Sequence, residues 1–123
     1  MKYLILAVAG ALGALSRWVL AGAVQTRWAG SFPMGTAVVN VFGCFLFGLI
    51  ATVLDERMAL PPETRLALLT GFLGAFTTFS TFTFETMALV RTGAVGLAVL
   101  NAAGQVAVGF FALYLGMVLA RLL

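Results

Sequence analysis

The sequence predicts an all-α integral membrane protein with four transmembrane helices, and composition is the first observation behind this prediction. Hydrophobic residues make up 63% of the 123 residues and charged residues only 9%, whereas a soluble domain carries about 25% charged residues. Four acidic and seven basic residues are too few to cover a soluble protein. The second observation is length, because four spans of about 20 residues each fit the chain and leave only short connections. The composition therefore excludes a cytosolic enzyme and a nucleic-acid-binding protein.

The chain lacks the usual protein ligands for transition metals. It contains no histidine and a single cysteine, Cys44, so zinc, haem and iron–sulfur sites are not expected, and an internal disulfide is impossible. Cys44 is predicted to be a small apolar packing residue. The apolar N-terminus is not interpreted as a signal peptide, because the rest of the chain is equally apolar and Arg17 interrupts the run.

Each predicted span is an apolar run bounded by polar or turn-forming residues. Pro33 precedes the second run and suits the first turn of a helix. A polar loop at residues 55–65 separates the second and third runs; Pro61 stiffens it, and Pro62 or Glu63 can open the next helix. The predicted spans are residues 3–24, 34–54, 66–90 and 94–122, which together form a single four-helix transmembrane domain over residues 1–123.

The third span has an unusual centre. Residues 77–84 contain five hydroxyl side chains among three phenylalanines, and Glu85 follows directly. β-Branched and hydroxyl residues are mediocre helix formers, so we predict a break in the helix near Thr77. Non-helical backbone at membrane depth is tolerated only inside protein or along a water-filled cavity, and broken helices there commonly bind ions.

The distribution of basic residues gives the chain only a weak bias for one membrane orientation. If the N-terminus is cytoplasmic, four bases lie on that side, and two or three lie on the other. The positive-inside rule orients a chain by this difference. The chain therefore inserts either in one poorly biased orientation or in both orientations, which then pair with each other. The four bases are Lys2, Arg57, Arg65 and Arg121, and the opposing ones are Arg27, Arg91 and, near the end of the first span, Arg17.

Two segments place polar groups inside the first and second spans. In the first, Gly10 and Ala14 form a small-residue packing face, and Arg17 either reaches the membrane interface or faces a wet vestibule with positive potential for an anion. In the second, Thr36, Asn40, Gly43 and Phe47 share one helix face. Asn40 is costly there unless it is hydrogen-bonded, so it makes either a structural interhelical bond or presents N–H donors to an anion.

The third segment, residues 71–85, carries five of the chain's 11 phenylalanines. An aromatic run in a membrane helix commonly packs in the core, but core packing does not need the interleaved threonines and serine. The stretches GALGALSR (residues 10–17), GTAVVNVFG (residues 35–43) and GFLGAFTTFSTFTFE (residues 71–85) together resemble the Fluc (CrcB) family of fluoride channels. The resemblance covers essentially the whole chain, and it implies an antiparallel, dual-topology homodimer that encloses two fluoride pores.

The resemblance also implies roles for individual residues. Phe79 and Phe82 match the two pore phenylalanines of the family, whose positive ring edges can face an anion. Asn40 matches the pore asparagine, and Ser80 and Thr81 match hydroxyl-lined parts of the pathway.

A structural sodium ion is implied as well. Gly74 and Thr77 match the positions whose backbone carbonyls, from both subunits, hold this ion on the dimer axis, and hard cations take oxygen ligands. Glu85 matches an acidic residue at the end of the motif, without an assigned role.

The fourth span departs from the family pattern. Where the family has a serine or threonine facing the pore, with a tyrosine one turn earlier, this chain has Gln105 and Asn101, if Gly109 aligns with the family glycine. Gln105 is expected to replace a hydroxyl donor with an amide donor.

The implied function is passive, fluoride-selective export across the cytoplasmic membrane, in which the multi-pass chain contacts lipid. Two other functions stay open from the sequence. A small dual-topology multidrug exporter needs a carboxylate in the first span, which has none, so that Glu85 would have to serve. A non-transporting assembly protein leaves the residues of the third span unexplained.

Overall fold

The computed structural model describes residues 1–123 as five helices joined by short turns. Four helical segments are long and apolar enough to cross a membrane, so the predicted fold class is confirmed. The first three spans extend a few residues beyond their predicted bounds, because helices continue past the apolar run into polar ends, and the fourth begins one residue later than predicted. They are α1 (Lys2–Arg27), α2 (Met34–Glu56), α3 (residues 62–76), α4 (Phe79–Arg91) and α5 (Val95–Leu122).

The third span consists of two helices, α3 and α4, with extended backbone between them. Thr77 has φ −88° and ψ 161°, and Thr78 has φ −149° and ψ 118°, so the predicted break near Thr77 is confirmed. The backbone of α3 is π-helical over Leu66–Leu73, a form that is rare and frequent at functional sites. The Thr78 side chain accepts a hydrogen bond from the Thr81 N–H at 3.3 Å, which caps the start of α4.

Close backbone packing joins α2 and α5, which make the most extensive helix–helix contact. A side chain at Gly48 would overlap the Leu113 carbonyl, and one at Gly116 would overlap the Phe45 carbonyl. Small residues let membrane helices approach this closely. In α1 the closest approach is at Gly13, against the Phe72 carbonyl of α3, while a side chain at Gly10 would have room.

We expect Gly116→Ala to destabilise the protein by about 1–3 kcal/mol, because the added methyl group meets backbone that cannot rotate away. Gly96→Ala is the matched control in the same helix, since nothing lies within 4 Å of the added carbon. Thermal unfolding in detergent measures both. The packing account is wrong if the two variants melt at the same temperature.

Charged residues cluster at one end of the helical bundle. Arg65 pairs with Asp55, Arg121 pairs with Glu56 at 3.0 Å, and Arg57 donates to the Arg121 carbonyl. Only 20 of the 123 residues are buried, so most apolar side chains face outward. This surface needs an apolar environment, either lipid or another protein copy.

Candidate functional site

The side chain of Asn40, on α2, clamps the break in the third span. Its Oδ1 accepts from the Thr78 N–H at 2.8 Å, and its Nδ2 donates to the Thr78 carbonyl at 3.0 Å. One carboxamide thus satisfies both polar groups of a residue that has left the helix. Unpaired backbone groups are costly at membrane depth. The structure therefore shows Asn40 making interhelical hydrogen bonds.

The break leaves the carbonyls of residues 74–77 without their helical donors, and the bonds made by Asn40 and Thr78 account for two of them. In a continuous helix the Thr78 N–H would donate to the Gly74 carbonyl, and the Thr81 N–H to the Thr77 carbonyl. Here the first N–H bonds to Asn40 and the second to the Thr78 hydroxyl. No donor from the turns, caps or side chains replaces them. Gly74 is exposed, so this residue lies at the protein surface.

A chain of side-chain hydrogen bonds, which we call the amide relay, continues from Asn40. The Asn40 Nδ2 donates to Gln105 Oε1 at 2.9 Å, and Gln105 Nε2 donates to Asn101 Oδ1 at 2.7 Å. Asn101 Nδ2 then donates to Thr86 Oγ1 at 2.8 Å, and the Thr86 hydroxyl donates to the Phe82 carbonyl at 2.7 Å. The relay connects α2, α5 and α4.

Three phenylalanines (Phe47, Phe79 and Phe82) and two carboxamides meet around one cavity of about 440 Å³, the phenylalanine cavity. The ring centroids of Phe79 and Phe82 are 5.6 Å apart, with the planes tilted by 44°. Phe82 is 8% exposed and Phe79 is 77% exposed, so the cavity opens at the protein surface. The polar groups on its wall come from Asn40, Thr77, Thr78 and Gln105, and its apolar lining includes Cys44.

A second cavity, of about 330 Å³, lies around Arg17. Its polar wall consists of Arg17, Thr36, Thr78 and Thr81, and Trp18 lies beside them. The Nε atom of Arg17 is buried and has no hydrogen-bond partner. Thr78 lines both this arginine cavity and the phenylalanine cavity, so the helix break separates the two. Arg17 therefore lies on a cavity whose wall carries three threonine side chains.

Glu85 lies beyond the arginine cavity, on a third cavity of about 350 Å³ that also contains Gln25 and Ser31. The Thr36 hydroxyl donates to Glu85 Oε1 at 2.9 Å. The other carboxylate oxygen, Oε2, is buried without a partner. Thr36 therefore connects the arginine cavity to this acidic residue.

The structure brings most, but not all, of the predicted residues together. Asn40, Phe79, Phe82 and Gln105 share one cavity, and Arg17 and Thr81 share the next. Ser80 is exposed on α4 and lines neither of these cavities.

Sequence reasoning missed the roles of Thr36, Thr78 and Thr86. Thr36 precedes Asn40 by four residues, and Thr86 follows Phe82 by four. This i, i+4 spacing places each pair on one helix face, and it was the available signal for both threonines.

Four apolar helices enclose a stretch of non-helical backbone, which a carboxamide holds in place and cavities with polar side chains flank. This architecture is typical of a membrane protein that handles small ions. Comparison with known sequences agrees. The family described as "CrcB-like protein, Camphor Resistance (CrcB)" matches residues 4–117, and the chain belongs to this family.

Three relatives carry the name fluoride-specific ion channel FluC. The protein from Maridesulfovibrio salexigens is 48% identical over 99% of this chain and 97% of its own length. The protein from Nitratidesulfovibrio vulgaris is 51% identical over 98% of both chains. The protein from Acidobacterium capsulatum is 50% identical over 98% of this chain and 97% of its own.

Proposed function

We propose that this chain is a fluoride-selective ion channel that exports fluoride passively across the cytoplasmic membrane. The observation that carries the proposal is the phenylalanine cavity, where Phe79, Phe82 and Gln105 meet at the clamped helix break. The full-length similarity to proteins named fluoride-specific ion channels supports it. Export would lower fluoride that accumulates in the cytoplasm when hydrofluoric acid crosses the membrane.

Fluoride suits this site because a small anion of high charge density loses its water only in exchange for strong donors. Ring edges carry partial positive charge, and carboxamide and hydroxyl groups supply hydrogen-bond donors. Arg17 is the one basic side chain on the two cavities. A site with a single cation does not resemble a general anion pore lined by rings of lysine or arginine.

The proposed pathway runs from the arginine cavity to the phenylalanine cavity. Arg17 raises the local concentration of anions, and Thr81 and Thr36 offer hydroxyls on its wall. The hydroxyls of Thr78 and Thr81 are 2.9 Å apart, so a polar strip reaches the break. Phe79, Phe82, Gln105 and Asn40 form the wall beyond it. Ser80 would join this pathway only from the exposed face of α4.

We propose that the working unit is an antiparallel homodimer. The phenylalanine cavity is open on the side where Phe79 is exposed, and a second copy would close it. Large apolar side chains such as Phe110 and Phe111 are also 74% and 61% exposed. The nearly even distribution of basic residues permits both orientations to insert, and pairing of identical chains favours two-fold symmetry.

We further propose that a structural sodium ion binds the carbonyls of Gly74 and Thr77 from both copies. These carbonyls have lost their helical donors, as described above, and oxygen atoms are the ligands that hard cations prefer. The position of Gly74 at the surface lets two copies bring their carbonyls together. Bound there, sodium would supply positive charge that satisfies the freed carbonyls.

We expect Gly74→Val to weaken sodium binding and Thr77→Ser to preserve it. A side chain at residue 74 has ordinary space within one copy, with the nearest atom 3.7 Å away, so each copy should still fold. In the proposed dimer the valine would crowd the carbonyls of the partner. Serine keeps the backbone ligand and the hydroxyl that donates to the Leu73 carbonyl. Fluoride efflux from liposomes, titrated with sodium at equal concentrations on both sides, measures the affinity. Full flux without sodium would contradict this proposal, and co-transport of tracer sodium would show that the ion is not structural.

Efflux from proteoliposomes with a fluoride electrode tests the function itself. Rapid release of fluoride without chloride is the result expected of the channel. Drug uptake driven by a pH gradient would show a multidrug exporter instead. Release of neither ion and no drug uptake would show a protein without transport activity.

A further inference from the structure

We infer that Thr86 and Asn101 are positioning residues that orient the Gln105 amide, so that Gln105, and not Asn40, offers a free N–H to the anion. This inference rests on the proposed function and adds to it. It concerns the amide relay, which contains three of the four carboxamide side chains in the chain, since only Gln25 lies elsewhere.

The direction of every hydrogen bond in the relay is fixed by the backbone groups at its two ends. At one end the Phe82 carbonyl can only accept, so the Thr86 hydroxyl donates its one hydrogen to it. Thr86 Oγ1 must then accept from Asn101, which turns the Asn101 NH₂ toward Thr86 and its oxygen toward Gln105.

The backbone groups at the other end of the relay require the same orientation. Gln105 meets the Asn101 oxygen and must present its NH₂ there, which leaves its Oε1 to accept from Asn40. Asn40 presents its NH₂ to Gln105 and its Oδ1 to the Thr78 N–H, which can only donate. The two ends agree. The three carboxamides therefore have one favourable orientation, and reversing any one of them places two like groups face to face.

Counting N–H groups identifies the free donor. The Asn40 NH₂ has two hydrogens, and both have acceptors, namely the Thr78 carbonyl and Gln105 Oε1. The Gln105 NH₂ also has two hydrogens, but only one has an acceptor, Asn101 Oδ1. Gln105 lines the cavity with Phe79 and Phe82. An anion beside these rings can gain a hydrogen bond from Gln105 without breaking the clamp on the helix break.

The middle of the relay, at Asn101, is shielded from water. Asn101 is 0% exposed, so losing its partner would leave a buried polar group unsatisfied, which is unfavourable. Thr86 lines none of the cavities described above. An effect of Thr86 on fluoride would therefore pass through Asn101 and Gln105 or through the Phe82 carbonyl, and the Gln105 signal distinguishes the two routes.

Side-chain amide NMR on the intact protein tests the assignment without any mutation. Selective ¹⁵N labelling of glutamine side chains gives two NH₂ groups, Gln105 and Gln25. Gln25 donates to the Phe32 carbonyl and accepts from the Gly35 N–H, so it is an internal control. We expect added sodium fluoride to shift the Gln105 signal and leave Gln25 unchanged, while sodium chloride shifts neither.

Asparagine labelling supplies the competing readout, because it reports only Asn40 and Asn101. A fluoride shift at Asn40 as large as that at Gln105 would overturn the inference. So would an unmoved Gln105 signal in protein that still releases fluoride selectively from liposomes, and in that case the proposed function would stand without the relay.

Thr86→Val tests the positioning role. Losing the hydroxyl removes one of the two ends that fix the relay and leaves the Asn101 NH₂ without its acceptor, so the Gln105–Asn101 bond is less firmly held. We expect up to about tenfold lower fluoride flux and a weaker fluoride shift at Gln105. Thr86→Ser keeps the hydroxyl and should restore both. Thr83→Val makes the same change at an exposed position of α4 that bonds only to the Ser80 carbonyl, and it should behave like the parent. A normal Gln105 response in folded Thr86→Val protein would overturn the role of Thr86.

Discussion

Replacing either Phe79 or Phe82 with isoleucine is expected to lower fluoride flux at least about tenfold while leaving the protein folded. Isoleucine keeps apolar volume but lacks the positively polarised ring edge that can replace water around an anion. A tenfold decrease corresponds to a barrier raised by about 1.4 kcal/mol. The measurement is efflux from liposomes, with thermal unfolding of the same samples in detergent.

The matched control for these variants is Phe84→Ile. Phe84 lies on the same helix and is 70% exposed, but it lines neither the phenylalanine cavity nor the arginine cavity. It should conduct like the parent. A packing role for Phe79 and Phe82 predicts the reverse pattern, with a lower unfolding temperature and nearly normal flux. That result would remove both residues from the pore.

Fixing the orientation of every copy is expected to abolish flux. Three lysines added after Leu123 should hold the end that contains Arg57 and Arg121 in the cytoplasm. Three lysines inserted in the turn between α1 and α2 should hold the opposite end there. Each form alone lacks an antiparallel partner, and coexpression should restore conduction.

Insertions of three serines at the same two places are the controls for altered length. Membrane preparations from cells that express one form or both forms would be compared by fluoride efflux. Conduction by either locked form alone would show that antiparallel pairing is not required.

The helical architecture and the break could be predicted from sequence because both depend on local properties. Apolar runs of membrane length specify spans, and hydroxyl and β-branched residues around Thr77 disfavour a continuous helix. For Arg17 the sequence left the membrane interface and a wet vestibule open, because one helix shows only that a charged group within a span needs a polar surrounding.

The amide relay could not be predicted, because it depends on how α2, α4 and α5 are rotated against one another. The sequence left two interpretations of Asn40 open, and the structure shows the interhelical bonds that the first interpretation requires. The spacing of Asn101 and Gln105 indicated a shared face but gave no partner for either residue. The freed carbonyls of Gly74 and Thr77 likewise depend on which side chains take the N–H groups of Thr78 and Thr81, and helix propensity does not contain that information.

The reversal potential of a planar bilayer containing the protein tests the central claim most directly. The bilayer would separate solutions with a tenfold difference in fluoride, an opposite difference in chloride, and equal pH and sodium. A passive fluoride-selective channel predicts a current that reverses at about 59 mV, with the sign set by the fluoride gradient. A reversal potential near zero, or one with the sign set by chloride, would contradict the account.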